Sequence, residues 1–227
     1  MRTNQQLIVA AVTSALLTLA GTTHAAINYV TDTTNTSVIP GLTGFATNGA
    51  MMDNMSVTAF FSNSPSQTLA WADTGATSGG VSGSGWALSM SGDTFGGLWN
   101  FAFSPTAGLS LTQLVLSGNS GLTVFDRTFD NTTGTPGSAL GMDFSDPNIN
   151  ATVTYSDQVA IGAAAPVGDL WHTVTVAFTD GIRSDFSFVQ DTDNDSRYGV
   201  PEPASIGLLG LALAGLGWSR RYRNGAK

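Results

Sequence analysis

Trp86-Ala87-Leu88-Ser89-Met90-Ser91 and, after a short turn, Leu98-Trp99-Asn100-Phe101-Ala102-Phe103 place a large apolar side chain at every second position. In an extended chain successive side chains point to opposite faces. Trp86, Leu88 and Met90 therefore share one side of their segment, and Trp99, Phe101 and Phe103 share one side of theirs. This is the pattern of two half-buried strands with their tryptophans turned to a core.

Working outward, the same style recurs at a spacing of roughly ten residues. Met55–Phe61, Gln67–Asp73, Leu109–Leu116, Leu122–Phe125, Ala151–Tyr155, Trp171–Phe178 and Asp185–Val189 are short apolar or alternating runs divided by Gly, Ser, Thr, Asn and Asp. β-Branched and aromatic residues are enriched in them, and no amphipathic helix lies between them. These runs predict an all-β body over residues 26–190, a β-sandwich with a jelly roll as one arrangement of it. Two stretches read as loops: the Gly/Ser-rich 74–85, and 126–150 with its Gly134-Thr135-Pro136-Gly137-Ser138. The first is no phosphate loop, because no Gly-Lys-Ser/Thr follows it.

All sixteen acids fall between Asp32 and Glu202, where only Arg127, Arg183 and Arg197 oppose them, a net charge of −13 for residues 26–203. So acidic a body repels phosphate backbones and anionic headgroups, which excludes nucleic acid as a partner and a peripheral membrane role for the body. Cysteine is absent, which removes disulfides, thiolate metal sites and a thiol nucleophile.

The ends read differently. Arg2 precedes an apolar run from Leu7 to Ala20, followed by Thr23-His24-Ala25-Ala26. A basic start, a short apolar centre and a small-residue exit form the secretory pattern, with cleavage expected after Ala25 and residues 1–25 as signal peptide. At the other end stands Val200-Pro201-Glu202-Pro203-Ala204-Ser205, then an apolar run over 204–218, then Ser219-Arg220-Arg221-Tyr222-Arg223. The prolines favour extended backbone. The apolar run predicts a short transmembrane helix, and Arg220, Arg221 and Arg223 form a basic stop that the positive-inside rule holds in the cytoplasm.

This tail resembles the PEP-CTERM sorting signal of Gram-negative bacteria, which combines a Pro-Glu-Pro motif, a short hydrophobic helix and an Arg-rich end. The resemblance covers residues 200–227 and implies recognition by exosortase, a membrane processing enzyme, with cleavage near Pro201-Glu202-Pro203. It also implies passage through the secretion machinery and association with exopolysaccharide in a biofilm matrix. The membrane is then met only through the C-terminal helix before processing, and the final place is the cell envelope, outer surface or extracellular matrix.

Three features of the body could carry chemistry. Asp191-Thr192-Asp193-Asn194-Asp195 spaces carboxylates at alternate positions, as calcium loops do, so Asp191, Asp193 and Asp195 are candidate calcium ligands. Ser196 stands where an EF-hand loop requires glycine, and the other reading of 191–199 is a solvated acidic linker that keeps the sorting motif accessible. In Leu170-Trp171-His172-Thr173-Val174-Thr175-Val176-Ala177-Phe178, Trp171 shares its side with Thr173 and Thr175. That parity allows an exposed ring, a stacking surface for a sugar, and the other reading is a tryptophan covered by a neighbouring loop. His172 shares parity with Leu170 and Val174 and is expected to be a partly buried structural histidine. No Gly-x-Ser-x-Gly elbow or His-Glu-x-x-His helix accompanies it.

The expectation is an exported, non-enzymatic surface or matrix protein without a cofactor other than calcium. A carbohydrate-binding module centred on Trp171 and a secreted hydrolase are the alternatives.

Overall fold

A computed structural model describes residues 25–105, 108–127 and 141–197. The expected signal peptide up to residue 24, and the tail from residue 198 with its expected transmembrane helix, lie outside them. The described residues are built from strands joined by turns and two single 3₁₀ turns, Gly49–Met52 and Asn119–Gly121.

In chain order the strands are β1 (Ile27–Ile39), β2 (Leu42–Gly44), β3 (Ser56–Phe61), β4 (Ser64–Ala70), β5 (Ala72–Gly75), β6 (Ser78–Gly83) and β7 (Trp86–Ser91). They continue with β8 (Trp99–Phe103), β9 (Leu111–Ser117), β10 (Thr123–Asp126), β11 (Ala151–Ile161), β12 (Leu170–Ile182), β13 (Phe186–Phe188) and β14 (Asp191–Asp195). One sheet runs β2-β14-β10-β12-β9-β3-β4, with β11 on the other edge of β12 and β1 outside β11. The second runs β13-β8-β7-β6-β5.

The sheets close on one core. Trp86, Leu88, Met90, Trp99, Phe101 and Phe103 from the second sheet are buried, as their alternation predicts, against Val57, Leu114, Leu116, Val153, Val174 and Val176 of the first. Rings join the layers: Phe61 stacks on Phe103 with centroids 5.8 Å apart, and Phe178 meets Phe186 edge-on at 5.5 Å. A second, smaller cluster of Ile39, Val124, Val159 and Leu170 packs apart from the first.

The body is thus a two-sheet β-sandwich, but not a jelly roll. In a jelly roll consecutive strands alternate between sheets, whereas β5, β6, β7 and β8 are successive neighbours in one sheet. Two further expectations are corrected. The Gly/Ser-rich 74–85 is mostly strand. Gly79 and Gly80 lie where a Cβ would meet backbone, the Gly49 carbonyl at 2.2 Å and the Leu88 carbonyl at 2.5 Å, so small residues here serve close packing rather than looseness. The supposed acidic linker is β14 over Asp191–Asp195, wholly buried between β10 and β2.

The first sheet changes its facing partway along. β9 and β10 are separated by the 3₁₀ turn and Leu122, which has φ 51°. Asp157 of β11 has φ 57°, in the left-handed region. On either side of it Ser156 pairs with Thr173 and Gln158 with Trp171. Tyr155 and Val174 face the main core. Val159 and Leu170, which would share their side in a regular strand, pack instead in the smaller cluster, and Trp171 swings to the main core.

Candidate functional site

β10 and β14 lie antiparallel with Asp126 opposite Asp191 and Val124 opposite Asp193. Opposed residues of an antiparallel pair share a face. Asp126, Asp191 and Asp193 thereby come together, each at most 2% exposed, with one carboxylate oxygen from each lying within 4.8 Å of the others. Asp191 Oδ1 accepts from the Thr94 hydroxyl at 3.0 Å and from the Thr192 amide at 2.8 Å. Burial, reinforced by the charge of Asp193, pushes the Asp191 carboxyl up to about 7.

Two of the three expected calcium ligands are therefore brought together, and the third is corrected. Asp195 turns to Arg197, accepting from its amide at 2.7 Å and from Nε at 3.0 Å. In an extended strand Asp195 stands four positions, about 13 Å, beyond Asp191, and a register irregularity against β2 separates it from Asn194. Asp126 completes the trio instead. It ends a run recognisable as a strand, but only the pairing of β10 with β14 reveals its role. Gly141 closes over it: a Cβ there would stand 2.6 Å from Asp126 Oδ1 and 2.5 Å from the Arg127 carbonyl.

The geometry suits a hard cation. Oxygens bound to one calcium at about 2.3–2.6 Å lie no more than roughly 5 Å apart. The remaining donors of the about six to eight that calcium takes would be carbonyls and water.

Beside the trio, Arg127 forks Nε and Nη2 onto Asp143 at 2.8 and 3.0 Å. Its guanidinium lies 4.4 Å from the Tyr155 ring centre and 5.6 Å from that of Tyr29. The Tyr29 hydroxyl donates to the Phe144 carbonyl at 2.7 Å. The Tyr155 hydroxyl donates to Gln190 Oε1 at 2.6 Å and accepts from the Phe144 amide.

The aromatic and histidine expectations come out differently. Trp171 is 1% exposed, and its Nε1 donates to the Gly168 carbonyl at 3.0 Å, so it offers no face to a sugar. The parity that allowed exposure fails at the inversion beside Asp157. His172 is more deeply buried than expected, at 3%. Its Nδ1 lies 3.4 Å from the Thr123 carbonyl, which can only accept, so Nδ1 carries the hydrogen. Nε2 is buried with no hydrogen-bond partner among the described residues, and burial lowers the pKa of the ring.

Past β14 the chain enters the tail. Residues 199–221 match the family model of the PEP-CTERM protein-sorting motif. The chain carries a PEP-CTERM sorting motif. Such a motif implies exosortase as processing partner and export to the cell envelope. No curated protein and no solved structure matches the chain.

Proposed function

We propose that this PEP-CTERM chain is a non-enzymatic protein of the outer surface or extracellular matrix, where its acidic β-sandwich works among exopolysaccharides of a biofilm. In this reading the secretion machinery delivers it with loss of residues 1–25. Exosortase then cuts at Pro201-Glu202-Pro203, while the helix at 204–218 and the basic stop at Arg220, Arg221 and Arg223 hold the chain in the membrane. The observation that carries the reading is the sorting motif matched at 199–221. The test is intact mass of the protein from envelope and medium of the native culture. Wild type should lack both ends, and Glu202→Ala should remain in the envelope with its tail. A wild-type mass that still includes residues 204–218 would refute processing.

A second reading concerns the body itself. The convergence of Asp126, Asp191 and Asp193 favours a structural divalent cation, calcium by size and donor type. The ion would neutralise three buried carboxylates and tie β14 to β10. Calorimetric titration with calcium checks it: Asp193→Asn should abolish the binding heat, and absence of any heat in wild type would dismiss the site.

A further inference from the structure

β1 is the outermost strand of the larger sheet, and among the described residues it pairs only with β11. That pair is parallel, whereas the other strand pairs are antiparallel. Parallel strands are ordinarily covered on both faces. Here residues 28–36 are exposed without interruption, and β1 meets the apolar clusters only at its ends, by Ile27 against the main core and by Ile39 in the smaller cluster, while the ladder to β11 and the Tyr29 hydroxyl hold its length. The strand also concentrates exposed apolar surface. Among the described residues, Tyr29, Val30 and Val38 are three of the eight exposed large apolar side chains, and no other strand carries more than one.

An uncovered edge of this length is a template for another strand. In a body with a net charge of −13, β1 holds a single charged residue, Asp32, so it is a place where two like-charged copies can approach. We propose that the Asn28–Asp32 edge of β1 pairs antiparallel with the same edge of a second copy, about a two-fold axis at Val30, which meets Val30 of the second copy. That register sets Tyr29 beside Thr31 of the second copy on the other face, an aromatic and β-branched pairing of the kind that stabilises strand contacts. Asp32 falls opposite Asn28 of the second copy. The two Asp32 residues then sit four positions apart, roughly 14 Å at strand rise and beyond the screening length at physiological salt. The irregularity between Asp32 and Thr36 ends the flat stretch, which confines pairing to these five residues and closes the assembly at two copies.

The test uses the protein recovered from native culture, its mass fixed beforehand. Sedimentation equilibrium should show reversible passage from one copy to two between low and high micromolar concentration. Val30→Asp should leave a single copy throughout with the thermal midpoint unchanged. Val38→Asp, on the same strand beyond the irregularity, should dimerise as wild type does. Because the chain has no cysteine, Val30→Cys should give a disulfide-linked dimer on mild oxidation, that position meeting its own copy at the axis. A wild-type protein that stays single at all concentrations, or a dimer that survives Val30→Asp, overturns the proposal. Neither result bears on processing of the tail, which the mass reports separately.

Discussion

Asp126 and Asp191 stand directly opposite each other across the β10–β14 pair, both buried. Like charges so placed repel, so the site favours a proton or a cation. With the Asp191 carboxyl raised to about 7 in the fold, this group's stabilisation is fully present below its unfolded value and fades as pH rises toward 7. Without divalent cation, thermal melts should show this contribution falling by up to about 1.4 kcal/mol per pH unit over that window. Asp191→Asn should flatten the slope. Calcium at neutral pH should raise the midpoint of wild type and release a proton on binding, seen as a buffer-dependent heat. A wild-type midpoint indifferent to both pH and calcium would contradict this account.

His172 works in the opposite sense. Burial lowers its pKa, so the stability it contributes is fully present above the unfolded value and is lost as pH falls through the folded one. In the Asp191→Asn background, acid titration should uncover a loss of stability below about pH 6.5. His172→Gln should remove that step, as followed by tryptophan fluorescence.

The Arg127–Asp143 pair brackets residues 128–140, with side chains 13% and 21% exposed. Asp143→Ala should cost about 2–3 kcal/mol, because a largely buried guanidinium loses its fork. Arg127→Lys should lose part of that, keeping the charge but not the bidentate contact or the stacking between Tyr29 and Tyr155. Urea unfolding of the single and double variants gives the coupling directly, and an additive double variant would show that the pair contributes nothing.

Trp71 Nε1 donates to the Gly49 carbonyl at 2.7 Å, and a Cβ on Gly79 would fall 2.2 Å from both atoms. Gly79→Ala should therefore destabilise by about 3 kcal/mol and shift Trp71 emission to the red. Gly92→Ala meets nothing within 4 Å but forces φ 85° on an alanine, so it should cost about 1 kcal/mol and leave the emission unchanged.

Strands with a regular apolar alternation were legible in the sequence. Trp86–Ser91 matches β7 end to end, and Leu98–Phe103 misses β8 by one residue. Strands without that signal were not. β1 has no regular apolar alternation, β6 is glycine and serine but for Val81, and β14 is acidic; each is a strand because of what it pairs with, not because of its own propensity. Trp171 was misplaced because parity holds only while the strand is regular, and the left-handed turn at Asp157 belongs to a different strand. At the carboxylate site, spacing identified Asp191 and Asp193, but Asp126 lies 65 positions before Asp191 and is joined to it only by sheet register. The sorting motif was fully legible, since its order of motif, apolar run and arginines is a property of the chain itself.

The position of β14 constrains the order of events during export. It lies inside the larger sheet, between β10 and β2, so the sheet stays incomplete until Asp195 has left the translocation channel. Only residues 196–198 separate that strand from the start of the matched motif at 199, a tether of about 10 Å when extended. The apolar run begins nine residues after Asp195, about 30 Å when extended and less than the thickness of a bilayer, so it would already be within the channel as the last strand clears it. On the proposed reading, in which residues 204–218 arrest in the membrane and exosortase cuts at Pro201-Glu202-Pro203, completion of the domain and arrest of the tail would nearly coincide, and the enzyme would work within a few residues of a folded wall.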